Sequence, residues 1–182
     1  MSSLSAAYVL IGGRSTRMGT DKALLPWPDP DSPPLVERVA SIAFQAAGSV
    51  TLVGDPERYR HLGFPVIPDL HPGLGPLSGV EAALAHTKAH RNLILACDLP
   101  ELELPFLQEL LRLQRDSVAT ADGRPALCAV LSPACLPAVR RAMAAGELAW
   151  HRFVRSIDAE NVAADPRMLF NMNSPKDLAA HE

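Results

Sequence analysis

Leu10-Ile11-Gly12-Gly13-Arg14-Ser15-Thr16-Arg17-Met18-Gly19-Thr20-Asp21-Lys22 follows directly on the apolar run Ala6-Ala7-Tyr8-Val9-Leu10-Ile11. That run lacks the polar alternation of a half-exposed strand, which predicts a parallel strand buried on both faces. Where it empties into the glycine pair, backbone N–H groups are open to a phosphate with no Cβ in the way. Arg14, Arg17 and Lys22 place three cations within the following ten positions. Strand, glycines and cations together describe a polyphosphate site at the carboxyl end of a strand. Spacing excludes two common phosphate loops. A Walker loop needs Gly-Lys-Ser/Thr, but Gly19 is followed by Thr20 and Asp21. The dinucleotide fingerprint separates its glycines by one residue and then two, but Gly12 and Gly13 are adjacent.

Outward from this stretch, strand and helix signals alternate to the end of the chain. Leu35, Val36, Val39, Ile42, Ala43 and Ala46 repeat at helical spacing, and Val50–Val53 is a β-branched strand ending at Gly54. Val66-Ile67 predicts a brief strand before a Pro/Gly-rich segment from Pro68 to Pro76, where a helix starts and turns Val80, Ala83 and Leu84 inward. Asn92–Cys97 is a clear strand that delivers Asp98, and Pro105 opens a helix carrying Phe106, Leu107, Leu110 and Leu111. Ser117–Thr120 and Ala126–Leu131 predict two strands around a turn at Asp122-Gly123, with helices near Leu136–Ala144 and Trp150–Arg155. Met168-Leu169-Phe170 predicts a short strand before Asn171-Met172-Asn173, and Ser174-Pro175 opens a last helix. The pattern is that of an α/β sheet covered by helices on both faces, whose ligands bind beyond the carboxyl ends of the strands. Gly12, Asp69, Asp98 and Asn171 all fall at such ends. Pro28–Pro34 reads as a loop, and one domain over residues 1–182 is expected.

Composition narrows the class. At 182 residues, 48% hydrophobic and 20% charged, the chain can bury a substantial core. A net charge of −3 argues against nucleic acid as a partner. Cys97, Cys128 and Cys135 are too few and too scattered for a disulfide framework or a zinc site, which suits a reduced, cytoplasmic setting. No apolar segment approaches the ~20 residues that span a bilayer, and the first run is too short for a signal-peptide core. His86 and His90, four apart, lack the Glu and the third ligand of a metalloprotease and read as a solvated face. Trp150 and Phe153 read as core.

The first stretch resembles the Gly-Gly-x-Ser-x-Arg-Met-Gly-x-Asp-Lys loop of the molybdenum cofactor guanylyltransferases of the MobA type, within the wider nucleotidyltransferase superfamily. Ile11 departs from the family's usual Ala. Further blocks carry the resemblance: Gly75-Pro76-Leu77-Ser78-Gly79, Cys97-Asp98-Leu99-Pro100, and Asn171-Met172-Asn173-Ser174-Pro175 with Ser174 in place of Thr. The resemblance implies a three-layer α/β/α fold of the nucleotide-diphospho-sugar transferase type, with a mostly parallel sheet and a Rossmann-like nucleotide-binding half. It implies transfer of GMP from GTP to molybdenum-molybdopterin with release of pyrophosphate, dependent on Mg2+. Leu10, Ile11, Gly12 and Gly13 are then expected to hold the nucleotide. Arg17 and Lys22 would stabilise charge on the α-phosphate and pyrophosphate, and Asp98 would hold the metal. Asp69 would read the guanine, whose adjacent N–H donors one carboxylate can accept. Asn171 and Asn173 are candidates for the second substrate. Arg124, where the family often has His or Gln before the proline, reads as an exposed turn arginine. Molybdoenzyme-maturation proteins are implied partners.

Three rivals remain in view. A CTP-dependent molybdopterin cytidylyltransferase shares the chemistry, but its loop usually runs Ala-Ala-Gly. A sugar-phosphate nucleotidyltransferase usually needs a longer chain. A non-catalytic nucleotide-binding accessory module has no use for Lys22 and Asp98 together.

Overall fold

The computed structural model describes residues 4–11 and 21–172. Gly12, Gly13, Arg14, Arg17, Asn173 and the helix expected at Ser174-Pro175 lie outside the described residues. Among those described, seven strands form one sheet: β1 (Ser5–Leu10), β2 (Val50–Val53), β3 (Val66–Ile67), β4 (Arg91–Ala96), β5 (Ser117–Ala121), β6 (Arg124–Leu131) and β7 (Glu160–Ala163). Their order across the sheet is β3-β2-β1-β4-β6-β5-β7. β1 runs parallel to both neighbours, pairing Leu10 with Val53 on β2 and with Ala96 on β4. β3 continues that parallel half, while β6 is antiparallel to β4 and β5, and β7 is parallel to β5.

The burial of β1 explains its uninterrupted apolar run. Ala7 and Val9 point into one core, and Tyr8 and Leu10 into the other. The first core is roofed by α1 (Leu35–Ala47) and α4 (Leu104–Arg112), through Val36, Val39, Ala43, Leu107 and Leu110. The second is roofed by α3 (Pro76–His86), α5 (Leu136–Ala144) and α6 (Trp150–Ser156), through Leu77, Val80, Val139 and Phe153. A sheet sandwiched between two helical layers is the expected three-layer arrangement. No helix among the described residues is long and apolar enough to cross a membrane.

Two short elements were not foreseen. α2 (Pro56–Tyr59) is four residues, capped by Asp55, whose side chain accepts from Glu57 N. β7 carries mostly exposed side chains on a sheet edge, so no apolar run marks it. The strand expected at Met168-Leu169-Phe170 is instead a turn, closed by Met168 N to Asp165 O and Phe170 N to Arg167 O. Its local chemistry decides this: the Asp165 carboxylate accepts from Arg167 N and grips the Arg167 guanidinium, which bends the chain before the apolar trio begins. Asn171 therefore does not end a strand. His86 and His90 do not share a helix either, because α3 ends at His86, whose ring nitrogen pairs with Tyr8 OH.

The connections from β1 to β2 and from β3 to β4 lead to opposite sides of β1. That reversal leaves a crevice beyond the carboxyl ends of β1 and β4, where ligands of open α/β sheets bind.

Candidate active site

β4 is driven into the sheet by Leu93, Ile94 and Leu95, all fully buried. The ladder extends one bond past its end, from Cys97 N to Leu10 O, and the chain then releases Asp98 into the crevice. Buried Leu99 and Pro100 hold the far side. The Asp98 side chain is only 24% exposed, and its Oδ2 lies 4.0 Å from Lys22 Nζ. Its Oδ1 is buried with no hydrogen-bond partner among the described residues. Burial pushes the Asp98 carboxyl above the usual carboxylate range, and the Lys22 ammonium pulls it part of the way back. The two residues on which the sequence reading most depended, 76 positions apart, thus meet at the crevice.

Lys22 begins a 3-10 turn, Lys22–Leu24, capped by Asp21 through Ala23 N to Asp21 Oδ1 at 3.1 Å. Asp21 is itself gripped. Tyr59 OH donates to its Oδ2 at 2.6 Å, and Arg58 Nε lies 2.8 Å from the same oxygen. Asp21 was read only as part of the motif, and α2, which supplies Tyr59, is marked in the sequence only by its start, Asp55-Pro56, with no apolar periodicity behind it. The clamp spans 38 positions, beyond any local pattern.

Leu10 and Ile11 have buried side chains, and their ladder bonds, Leu10 O from Cys97 N and Ile11 N to Val53 O, aim the chain out of the sheet. The Ile11 side chain packs beside Gly54, where an added Cβ would lie 3.4 Å from Ile11 Cγ1. On the other side of β1, Asp69 lies two residues past β3, as Asp98 lies two past β4. Their strands are three sheet spacings apart, about 14 Å. That span suits a nucleotide with its base at one end and its phosphates at the other. Asp69 Oδ1 accepts from His71 N at 2.9 Å and from the buried Ser78 hydroxyl on α3.

Asn171 is brought near Asp98 by a different route from the one expected. Met172 N donates to Asp98 O at 2.9 Å, docking the segment beside the site, with the Asn171 side chain exposed. Arg124 is exposed at the start of β6, at the same end of the sheet. No group of three or more His, Cys, Asp or Glu side chains able to hold a metal occurs among the described residues.

A family profile described as MobA-like NTP transferase domain matches residues 7–162, from β1 to β7. The chain belongs to the MobA-like NTP transferase family. This nucleotidyltransferase is 36% identical over 185 residues to a probable molybdenum cofactor guanylyltransferase of Nostoc sp., covering 95% of this chain and 88% of the relative. It is 35% identical to the molybdenum cofactor guanylyltransferase of Rhodobacter capsulatus, covering 97% and 94%. Its fold matches the molybdopterin-guanine dinucleotide biosynthesis protein A of Archaeoglobus fulgidus with a TM-score of 0.77, at 22% identity, over 96% of this chain and 95% of that one.

Proposed function

We propose that this MobA-like nucleotidyltransferase, acting as one domain over residues 1–182, transfers GMP from GTP to the terminal phosphate of molybdenum-molybdopterin. An oxygen of that phosphate attacks the α-phosphorus of GTP, the bond to the β-phosphate oxygen breaks, and pyrophosphate leaves with the electron pair. The attacking group is already an anion, so no protein nucleophile or general base is required. Catalysis is then a matter of alignment and of neutralising charge on the phosphates. The observation that carries this reading is the approach of Lys22 to Asp98 at the reversal point of the sheet.

In this reading Lys22 faces the α-phosphate and the departing pyrophosphate, and Asp69 accepts the N–H edge of guanine. Gly12, Gly13 and Arg17 are assigned to the phosphates, and Asn171 and Asn173 to the pterin. The donor chemistry fits a hard divalent cation: Asp98 Oδ1 is buried and lacks a partner among the described residues, and hard cations bind through carboxylate oxygens together with substrate phosphate. Magnesium held there supplies charge neutralisation and polarisation of the α-phosphate. The free thiols of Cys97, Cys128 and Cys135 accord with a reduced, cytoplasmic setting.

The test is a calorimetric titration of GTP, CTP, ATP and UTP with magnesium, followed by a pyrophosphate-release assay. Selective GTP binding, with release only after the molybdenum-loaded pterin is added, is the expected result. Preference for CTP would make the enzyme a cytidylyltransferase, and release without the pterin would remove the proposed acceptor.

A further inference from the structure

Glu81 sits on the buried side of α3, its side chain 9% exposed, between core residues Val80 and Ala82. A carboxylate in such a place is costly unless it is paired. Both of its oxygens are engaged. Arg140 Nε on α5 lies 2.9 Å from Oε1, and His71 Nε2 lies 3.4 Å from Oε2. Both partners come from the surface, with side chains 57% and 52% exposed.

His71 connects this pair to Asp69. Its backbone N–H is shared between Asp69 Oδ1 and Ser78 Oγ, each at 2.9 Å, and the Ser78 hydroxyl donates to the same Asp69 oxygen. Asp69 Oδ1 thus takes two protein donors, which fills its lone pairs and leaves Oδ2 for a ligand. The segment that carries these groups runs through Pro68, Pro72, Gly73 and Gly75, with both glycines at positive φ. A surface segment of this kind must be ordered before it can read a base, and any ordering left to the moment of binding is subtracted from affinity.

We propose that Glu81, acting through His71, is a positioning residue for base recognition: it anchors the 69–71 turn so that Asp69 presents Oδ2 to the guanine N–H edge. The inference rests on the reading of Asp69 as the base-recognising residue. Guanine offers N1–H and the 2-amino group to that oxygen, whereas adenine turns its N1 lone pair toward it. A carboxylate held in one orientation therefore favours guanine and disfavours adenine. A carboxylate free to rotate does neither well. Arg140 completes the anchor by neutralising the second oxygen of Glu81, so that His71 does not have to follow Glu81 toward water.

The experiment compares GTP and ATP affinity by calorimetry, and steady-state kinetics with GTP and the molybdenum-loaded pterin, for Glu81→Gln, His71→Ala, Arg140→Lys and Asp69→Asn. Glu81→Gln and His71→Ala are expected to weaken GTP about 3- to 10-fold with little change for ATP. The kinetic loss should fall on KM rather than kcat. Asp69→Asn should lower the GTP to ATP ratio at least as far, and His71→Ala added to it should bring little further loss. Arg140→Lys, which keeps the charge but not the Nε contact, should lose less than Glu81→Gln. If Glu81→Gln does not fold, His71→Ala decides, since that side chain lies half in solvent. An unchanged GTP to ATP ratio in His71→Ala, with Asp69→Asn impaired, overturns the positioning role alone. An unchanged ratio in Asp69→Asn overturns the base-reading assignment and the inference with it.

Discussion

Asp98 illustrates how one residue acquires its chemistry from its place at a strand end. The same carboxylate on the surface would be fully hydrated, whereas here burial raises the cost of its charge, and Oδ1 has no hydrogen-bond donor among the described residues. Lys22 stands 4.0 Å from the other oxygen, and the proposed function gives Oδ1 to a cation. Asp98→Asn keeps the shape and removes the charge. Turnover is expected to fall by roughly 100- to 1,000-fold, while the urea midpoint is held because a costly buried charge has been removed. Pyrophosphate release and urea denaturation of the same preparation check this. Near-normal turnover would take Asp98 out of the reaction.

At the scale of elements, the start of α3 shows how backbone geometry places the segment that leads from Asp69 into the helix. Gly75 occupies the position before the helix with φ 85 and ψ −172, a conformation that residues with a Cβ rarely adopt, and Pro76 then sets the first helical φ. A Cβ added at Gly75 would still lie 3.6 Å from Leu148 O, so space is not the obstacle. Gly75→Ala is therefore expected to destabilise the protein through backbone strain, by about 1–3 kcal/mol. Chemical denaturation measures the loss. A neutral result would mean that the segment relaxes to another path. Further along the same helix, Gly79 lets α3 close on β1: a Cβ there would approach Leu10 Cδ1 to 3.0 Å. Two glycines of one short block thus do separate work, one in the path of the chain and one in the packing of helix on sheet.

For the molecule as a whole, two cores divided by the sheet determine which groups solvent can reach. Cys128 is fully buried in the core under α1 and α4, and Cys135 is 7% exposed in the core under α3, α5 and α6. Burial pushes both thiols up to about 12, and the Asp116 carboxylate adds to the effect at Cys135. Since the thiolate is the reactive form, neither should react with iodoacetamide at pH 8 in the native state, and both should react in denaturant. Peptide mapping by mass spectrometry reads each cysteine separately. Rapid native labelling of Cys128 would show that the sheet opens more readily than its packing implies.

Much of this protein was legible from local pattern because local pattern is what the physics rewards there. Continuous apolar runs mark β1 and β4 since both of their faces are buried, and helical spacing marks α1 and α4 since one face of each is. The carboxyl ends of those strands, with Asp98 just beyond β4, followed from the same periodicities, whereas Lys22, twelve residues past β1, stood out through the glycine-rich motif. The exposed edge strand β7 and the four-residue α2 bury too little to leave a pattern. The turn at 166–169 was misread because apolar residues in a turn and in a strand look alike until their hydrogen bonds are known. Only the tertiary structure decided that Tyr59 and Arg58 clamp Asp21, that Met172 docks on the Asp98 carbonyl, and that Glu81 joins α5 to the Asp69 turn. Each of these is a contact between segments distant in the chain, made possible by where strands and helices bring their ends, and no spacing along a single sequence encodes it.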